Sequence, residues 1–191
     1  MTIDPNWTGV NTIFTHDTEV ALVSAAALIN TLDGETENLP DVRALDEFID
    51  AWRWTGYRAH DEAELRAVRE LRPRLRRLWE SDEEQLVAQV NELLREAKAL
   101  PQLVKHDEWP YHLHATPADA PLATRMAVEA AMAFVDLIRS NGLDRLRHCA
   151  YPGCDNVVID LSKNGSKRFC EAGCGNRAAV AAYRARKAGK K

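Results

Sequence analysis

Apolar residues run almost unbroken through positions 20–32, a pattern that predicts a helix buried on all sides rather than an amphipathic one. Asp33-Gly34-Glu35 ends that run and Pro40-Asp41 opens the next, where Val42, Leu45, Phe48, Ile49 and Trp52 recur at helical spacing. Trp52 and Trp54 read as core residues. Asp61 with Glu64 has the form of a capping box, and Leu65, Val68, Leu71, Leu75 and Leu78 carry a helical stripe behind it. Pro73 interrupts that stripe and predicts a kink or a division of the helix. Ser81 with Glu84 forms a second box ahead of Leu86, Val90, Leu93, Leu94 and Ala97. Leu103-Val104 and residues 111–114, on either side of Asp107-Glu108-Trp109-Pro110, predict a small β-hairpin. Pro121 suits the first turn of a long helix over about 122–140, with Leu122, Met126, Ala130, Ala133, Leu137 and Ile138 as its buried stripe. Asn141-Gly142 stops it. Residues 1–15 read as a loosely held leader whose Trp7, Ile13 and Phe14 are available for packing.

A chain of 191 residues with 46% hydrophobic content supports one core and a small appended module. No stretch approaches the roughly 20 apolar residues that span a bilayer. Residues 1–20 lack a basic start and an unbroken apolar segment, so the expectation is a cytoplasmic protein without a secretory signal. The net charge of -4 hides a division. Residues 1–140 hold 14 Lys+Arg against 25 Asp+Glu, whereas residues 141–191 hold 11 against 4. That asymmetry fits an acidic body with a basic end turned toward nucleic acid, the alternative being a solvated basic tail. Arg66, Arg69, Arg72, Arg74, Arg76 and Arg77 give the third helical stretch a basic face as well. It reads as a surface pairing with nearby acidic residues before it reads as a second phosphate contact.

Every cysteine of the chain falls within 149–174. Cys149 and Cys154 enclose four residues and Cys170 and Cys174 enclose three, the form of a four-thiolate site for Zn²⁺, which takes soft ligands at the corners of a tetrahedron. Tyr151-Pro152-Gly153 can make the tight turn of the first pair. Val157-Val158-Ile159 is a strand, Lys163-Asn164-Gly165-Ser166 a turn, and Arg168-Phe169 leads back to the second pair. An Ala-rich helix over 178–188 follows the last cysteine, so a helix N-terminus lies beside the thiolates. Knuckle, hairpin and helix in that order are the layout of a treble clef. Two disulfides or an iron–sulfur cluster would also use four cysteines; reduced thiols favour metal over bridges, and the hairpin-and-helix layout favours zinc.

The residues Cys149-x4-Cys154, Asp160-x-Ser162-Lys163-Asn164, Ser166-Lys167-Arg168-Phe169-Cys170 and Cys174-Gly175-Asn176-Arg177 resemble the CGNR zinc finger family. Upstream, His16-Asp17-Thr18-Glu19-Val20, Ile29-Asn30-Thr31, Leu71-Arg72-Pro73 and His112-Leu113-His114 resemble the ABATE domain, the module that accompanies this finger in a family assigned to stress-induced transcription regulation. The resemblance covers nearly the whole chain and implies one structural zinc ion on Cys149, Cys154, Cys170 and Cys174, and a finger that binds DNA. Phe169 departs from it, standing where many relatives carry Trp. The architecture expected is α+β: a mostly helical N-terminal domain with a small β-hairpin, residues 1–142, followed by a C-terminal treble-clef-like zinc finger, residues 143–191.

A four-cysteine site leaves zinc no open position for water, so it serves as a staple that fixes the following helix. At about 100° per residue, Arg177, Arg184, Lys187 and Lys191 fall within a sector of roughly 80°, while Arg186 and Lys190 point elsewhere. Val180 and Tyr183 are then left to fill the module's small core. Lys163, Lys167 and Arg168 flank the same surface. Phosphate contacts are expected from most of these residues, and base contacts from Arg177, Arg184 or Asn164. Asn176 has an equal claim as a helix cap. The chain so read is a DNA-binding regulator whose N-terminal domain senses a small molecule or forms a homodimer, with a protein–protein adaptor as the alternative. His112 and His114 share one strand face and suggest a ligand pocket. Joined by His106 they would offer a metalloenzyme site, but no Gly-x-Ser-x-Gly or phosphate-cradling Gly-rich loop is present, and no enzyme is expected.

Overall fold

The long helix α5, Leu122–Arg139, is the strut of the molecule. In the computed structural model, which describes residues 14–105 and 111–188, α1 (His16–Ile29), α3 (Glu62–Glu80) and α4 (Glu83–Glu96) all pack on it, and α2 (Val42–Ala51) rests on α3. Phe134, fully buried on α5, meets Trp79 edge-on with ring centroids 5.1 Å apart. The expectations attached to Trp7, Ile13, His106, the turn at 107–110, Lys190 and Lys191 lie outside the described residues. α1 begins four residues before its apolar run and buries Leu22, Ala25, Ala26, Leu28 and Ile29, as a helix apolar on most sides must.

Among the described residues the strands form three short antiparallel pairs: β1 (Leu32–Asp33) with β2 (Thr36–Glu37), β3 (Gln102–Val104) with β4 (His112–His114), and β5 (Leu146–His148) with β6 (Val157–Ile159). The fold is therefore mostly helical with a C-terminal cysteine module, completed by α6 (Cys174–Ala188). β6 does not pair with Arg168-Phe169, as the sequence suggested. Its partner is β5, which lies between α5 and the first cysteine, with Leu146 opposite Ile159 and His148 opposite Val157. The reason lies in residues 160–167, which wrap around the Asp160 carboxylate. That carboxylate takes the N–H groups of Ser162 and Lys167, so they are not available to a ladder.

Two other local expectations also change. Pro73 sits inside a continuous α3. The carbonyl of Arg69, which a residue at 73 with an N–H would have satisfied, instead accepts from Arg72 Nε at 3.4 Å. Ser81 does not cap α4. Asp82 does, accepting from Gln85 N–H at 2.9 Å, while the Ser81 hydroxyl donates back to the Arg77 carbonyl at 2.7 Å. The carboxylate suits the helix N-terminus, where free N–H groups favour negative charge, and the hydroxyl closes the helix before it.

Part of the basic face of α3 turns inward, while Arg66 and Arg77 stay exposed. Arg72, buried, holds both carboxylate oxygens of Glu37 at 2.8 and 2.6 Å and the Thr31 hydroxyl at 3.1 Å. Arg69 donates to the Leu39 carbonyl, and Arg74 pairs with Glu96 at 2.6 Å. The Arg72 hydrogen bonds hold Glu37 below the usual carboxylate range. On the other side Arg125 of α5 donates to the carbonyls of Thr55, Tyr57 and Ala120 and so pins the loop after α2. Gly56 makes that approach feasible: its φ is +92°, and a Cβ there would lie 2.7 Å from the Ala118 carbonyl oxygen.

The C-terminal segment is built into this body. Val157 and Ile159 belong to the main core, alongside α1 and α5. Asn30, at the end of α1, donates to the Val157 carbonyl and accepts from the Val157 N–H, both at 2.9 Å, so an amide side chain acts as one rung of a sheet. Trp79 Nε1 donates to the Val158 carbonyl at 3.2 Å and Arg76 to the Asp155 carbonyl at 2.8 Å. Asn30→Ala leaves two backbone groups of the buried Val157 unpaired, and the expected loss is roughly 2–4 kcal/mol of unfolding free energy by urea titration. Asn30→Asp, which keeps the acceptor and loses the donor, is expected to fall between the two.

Candidate metal centre

Each cysteine pair is set by a turn that its sequence dictates. Cys154 N–H bonds the Tyr151 carbonyl at 3.1 Å across Pro152 and Gly153, where Gly153 takes a φ of +76° that L residues with a Cβ rarely adopt. Cys149 leaves β5 held to Asn156 by a backbone bond of 2.8 Å, and Ala150 N–H reaches the Arg168 carbonyl at 2.8 Å, which ties the two knuckles together. Gly173, also at φ +76°, turns the chain into α6, so that Cys174 opens the helix.

The outcome is one cluster of four sulfurs, all within 4.8 Å of one another. Cys170 Sγ lies 3.5 Å from Cys174 Sγ and 3.7 Å from Cys154 Sγ. A zinc tetrahedron with bonds of about 2.3 Å has edges of about 3.8 Å, so these spacings suit one ion at the centre. They are too tight to enclose a multi-iron cluster, and the four cysteines are free thiols. Cys149, Cys170 and Cys174 are buried, with Val158, Tyr151 and Phe169 packed around them. Burial pushes the Cys154 thiol up to about 12 and raises Cys170 as well, with the neighbouring sulfurs adding to both. Cys149 goes the other way: despite burial, N–H donors from Cys170 and Tyr151 hold it below an ordinary thiol. Sulfurs this close repel as anions, and a divalent cation reverses the balance by expelling their protons.

Around the sulfurs stand residues to which the motifs assign no role in the metal site. Asn156 donates to Cys170 Sγ at 3.5 Å. Asp160, fully buried, accepts from Ser162 N–H, the Ser162 hydroxyl and Lys167 N–H, and pairs with Arg147 at 3.2 Å. Burial works against that carboxylate, but the Ser162 and Lys167 donors and Arg147 keep it below the usual range. The Asp160-x-Ser162 pair is an Asx-turn signature and was legible as such.

The structure places the expected DNA-facing residues unevenly. Lys163, Asn164 and Arg168 are exposed on the loop that Asp160 organises. Lys167 is half-buried and paired with Glu171 at 2.8 Å. Arg184 and Lys187 are exposed on α6. Arg177 is turned back, its guanidinium 2.8 Å from Cys174 Sγ and 4.8 Å from the Tyr151 ring centre. Val180 and Tyr183 do not fill the module's core. They are 48% and 60% exposed, because α6 leaves the body after its first turn and its later turns are exposed among the described residues. Asn176 is exposed at the start of that helix. His112 and His114 come together, Nε2 to Nε2 at 3.0 Å, beside a cavity of about 80 Å³ also lined by Asp17, Trp52, Trp54 and Glu129.

Residues 145–187 match the family model of the CGNR zinc finger, and residues 23–141 match that of ABATE, described as "Putative stress-induced transcription regulator". No curated protein matches the chain significantly. Metal analysis of the purified chain is expected to give one zinc ion, on Cys149, Cys154, Cys170 and Cys174. Stripping it with a chelator is expected to expose α6 to proteolysis while α1–α5, whose core contains no cysteine, keep their thermal transition.

Proposed function

Because this chain belongs to the ABATE family and carries a CGNR zinc finger after it, we propose that it is a DNA-binding transcription regulator in which zinc fixes α6 for insertion against a duplex. The observation that carries this reading is the state of α6. A 15-residue helix extends from the cysteine cluster with Arg177, Arg184, Arg186 and Lys187 and no acidic residue, and beyond its first turn only Ala178 is even half-buried. Isolated helices of this length are marginal in water, so a helix held this way gains most of its order from a partner. Its charge fits a polyanion. Arg184 and Lys187 on the helix and Lys163, Arg168 and Lys167 on the Asp160 loop supply phosphate contacts, with Asn164 or Arg184 reaching base edges. The helical domain, residues 1–142, serves in sensing or dimerisation, and the cavity beside His112 and His114 is its ligand pocket.

A protein partner is the second reading, favoured by Val180 and Tyr183, which give α6 an apolar as well as a basic side. No helix among the described residues is long and apolar enough to cross a membrane, so a lipid-spanning role is not drawn from these helices.

Binding to a random duplex pool, followed by salt titration on the selected sequence, tests the proposal. Arg184→Gln and Lys187→Gln are each expected to weaken binding across sequences and reduce the slope of log K against log salt by about 1. Salt-independent binding, or a zinc-loaded protein with no affinity for any duplex, would transfer α6 to the protein-partner reading.

A further inference from the structure

Arg177 stands on the basic sector of α6 and is exposed, yet its guanidinium is already engaged by one edge and one face. Nη2 lies 2.8 Å from Cys174 Sγ, one helical turn before it, and Cζ lies 4.8 Å over the ring of Tyr151 from the first knuckle. We propose that Arg177 is a positioning residue of the zinc centre, a latch that joins helix α6 to both knuckles through the Cys174 thiolate and the Tyr151 ring, rather than a DNA-contacting residue. The geometry follows from residue spacing. A side chain three positions along a helix lies over the residue that opens it, so Cys174 and Arg177 meet without cost to the backbone. A guanidinium, planar and always charged, can donate at its edge to sulfur while its face lies on an aromatic ring. Lys can do neither in the same way.

The latch matters because little else holds α6. Cys174 is its one buried residue, and Gly175 and Ala178 are half-buried. A metal-bound Cys174 is a thiolate and attracts Arg177 as a charge-assisted donor, whereas a neutral thiol offers it far less. Arg177 thus adds a second tie to the one that Cys174 itself makes at the start of the helix. On the other side of the cluster Asn156 donates to Cys170 Sγ at 3.5 Å, so the two helix-side ligands each carry an outer hydrogen bond of their own. Such second-layer partners are typically worth 10–100-fold in metal affinity.

The test uses the full chain loaded with cobalt(II) in place of zinc, since cobalt–thiolate charge-transfer bands report the electron density on sulfur. In Arg177→Gln the band is expected to move to lower energy, because a donor to sulfur has been lost, and zinc affinity by chelator competition is expected to fall 10–100-fold. Arg177→Lys should recover the charge but not the stack and give an intermediate band. Tyr151→Leu, which keeps the backbone donor to Cys149 and removes only the ring under Arg177, should move the band less than Arg177→Gln does and raise amide exchange over α6. An unmoved band in Arg177→Gln with zinc affinity within twofold of the parent overturns the proposal. A further arm rests on the DNA reading: with zinc saturating, Arg177→Gln is expected to keep the parent salt slope. A slope shallower by about 1 would return Arg177 to the phosphate contacts and overturn the latch. Absence of DNA binding by the parent protein would reject the DNA reading alone, since the cobalt band is read without DNA.

Discussion

Four sulfurs drawn inside 4.8 Å of each other are the constraint on which the C-terminal module depends. Left to themselves they repel one another as anions, and burial raises the Cys154 and Cys170 thiols. One divalent ion turns that repulsion into the strongest attraction in the region, since structural zinc sites contribute on the order of 10 kcal/mol of apparent binding free energy. The module has little else to draw on. Its own cluster contains Val158, Tyr151 and Phe169 beside the cysteines, too small a group for an independent hydrophobic core. Metal replaces the missing apolar area, and α6 begins on the last sulfur.

The helical body contributes the second support. β6 is shared: Val157 and Ile159 face the main core, while Val158 between them faces the cysteines. Alternation along a strand sends successive side chains to opposite sides, so three residues serve two cores. Asn30 and Trp79 then satisfy backbone groups on the same strand from α1 and α3. The finger is therefore a lid clipped onto the helices by its central strand.

Much of this was legible in the chain and some was not, for physical reasons. Cysteine spacing fixed the metal cluster because two corners of a tetrahedron need only local turns, and Gly153 and Gly173 supply them. The hydrophobic stripes placed α1–α5 for the same reason, since a helix period depends on neighbours. Partners distant in sequence were hidden. Asn30 meets Val157 across 127 positions, and nothing in Ile29-Asn30-Thr31 announces a rung for a remote strand. β6 found β5 rather than Arg168-Phe169 because Asp160 had claimed the loop's donors. Pattern also overreached at Val180 and Tyr183: periodicity shows that two side chains share a face, but not that anything lies opposite. Arg177 answers to both patterns: helix phase puts it among the basic residues, and its distance of three from Cys174 places it over sulfur.

The projection of α6 has an electrostatic consequence. Fifteen residues at about 1.5 Å each make a rod of about 22 Å, some two to three times the screening length of about 8 Å in physiological salt. Residues 1–140 carry a marked excess of acid and would repel a nucleic acid that came close. With the rod as a spacer, the cations at its far end are shielded from that repulsion by intervening counterions. Near its root they are not. A polyanion approaching from the side would meet the negative body, whereas one approaching the tip would not, so the direction of approach is selected before any contact forms.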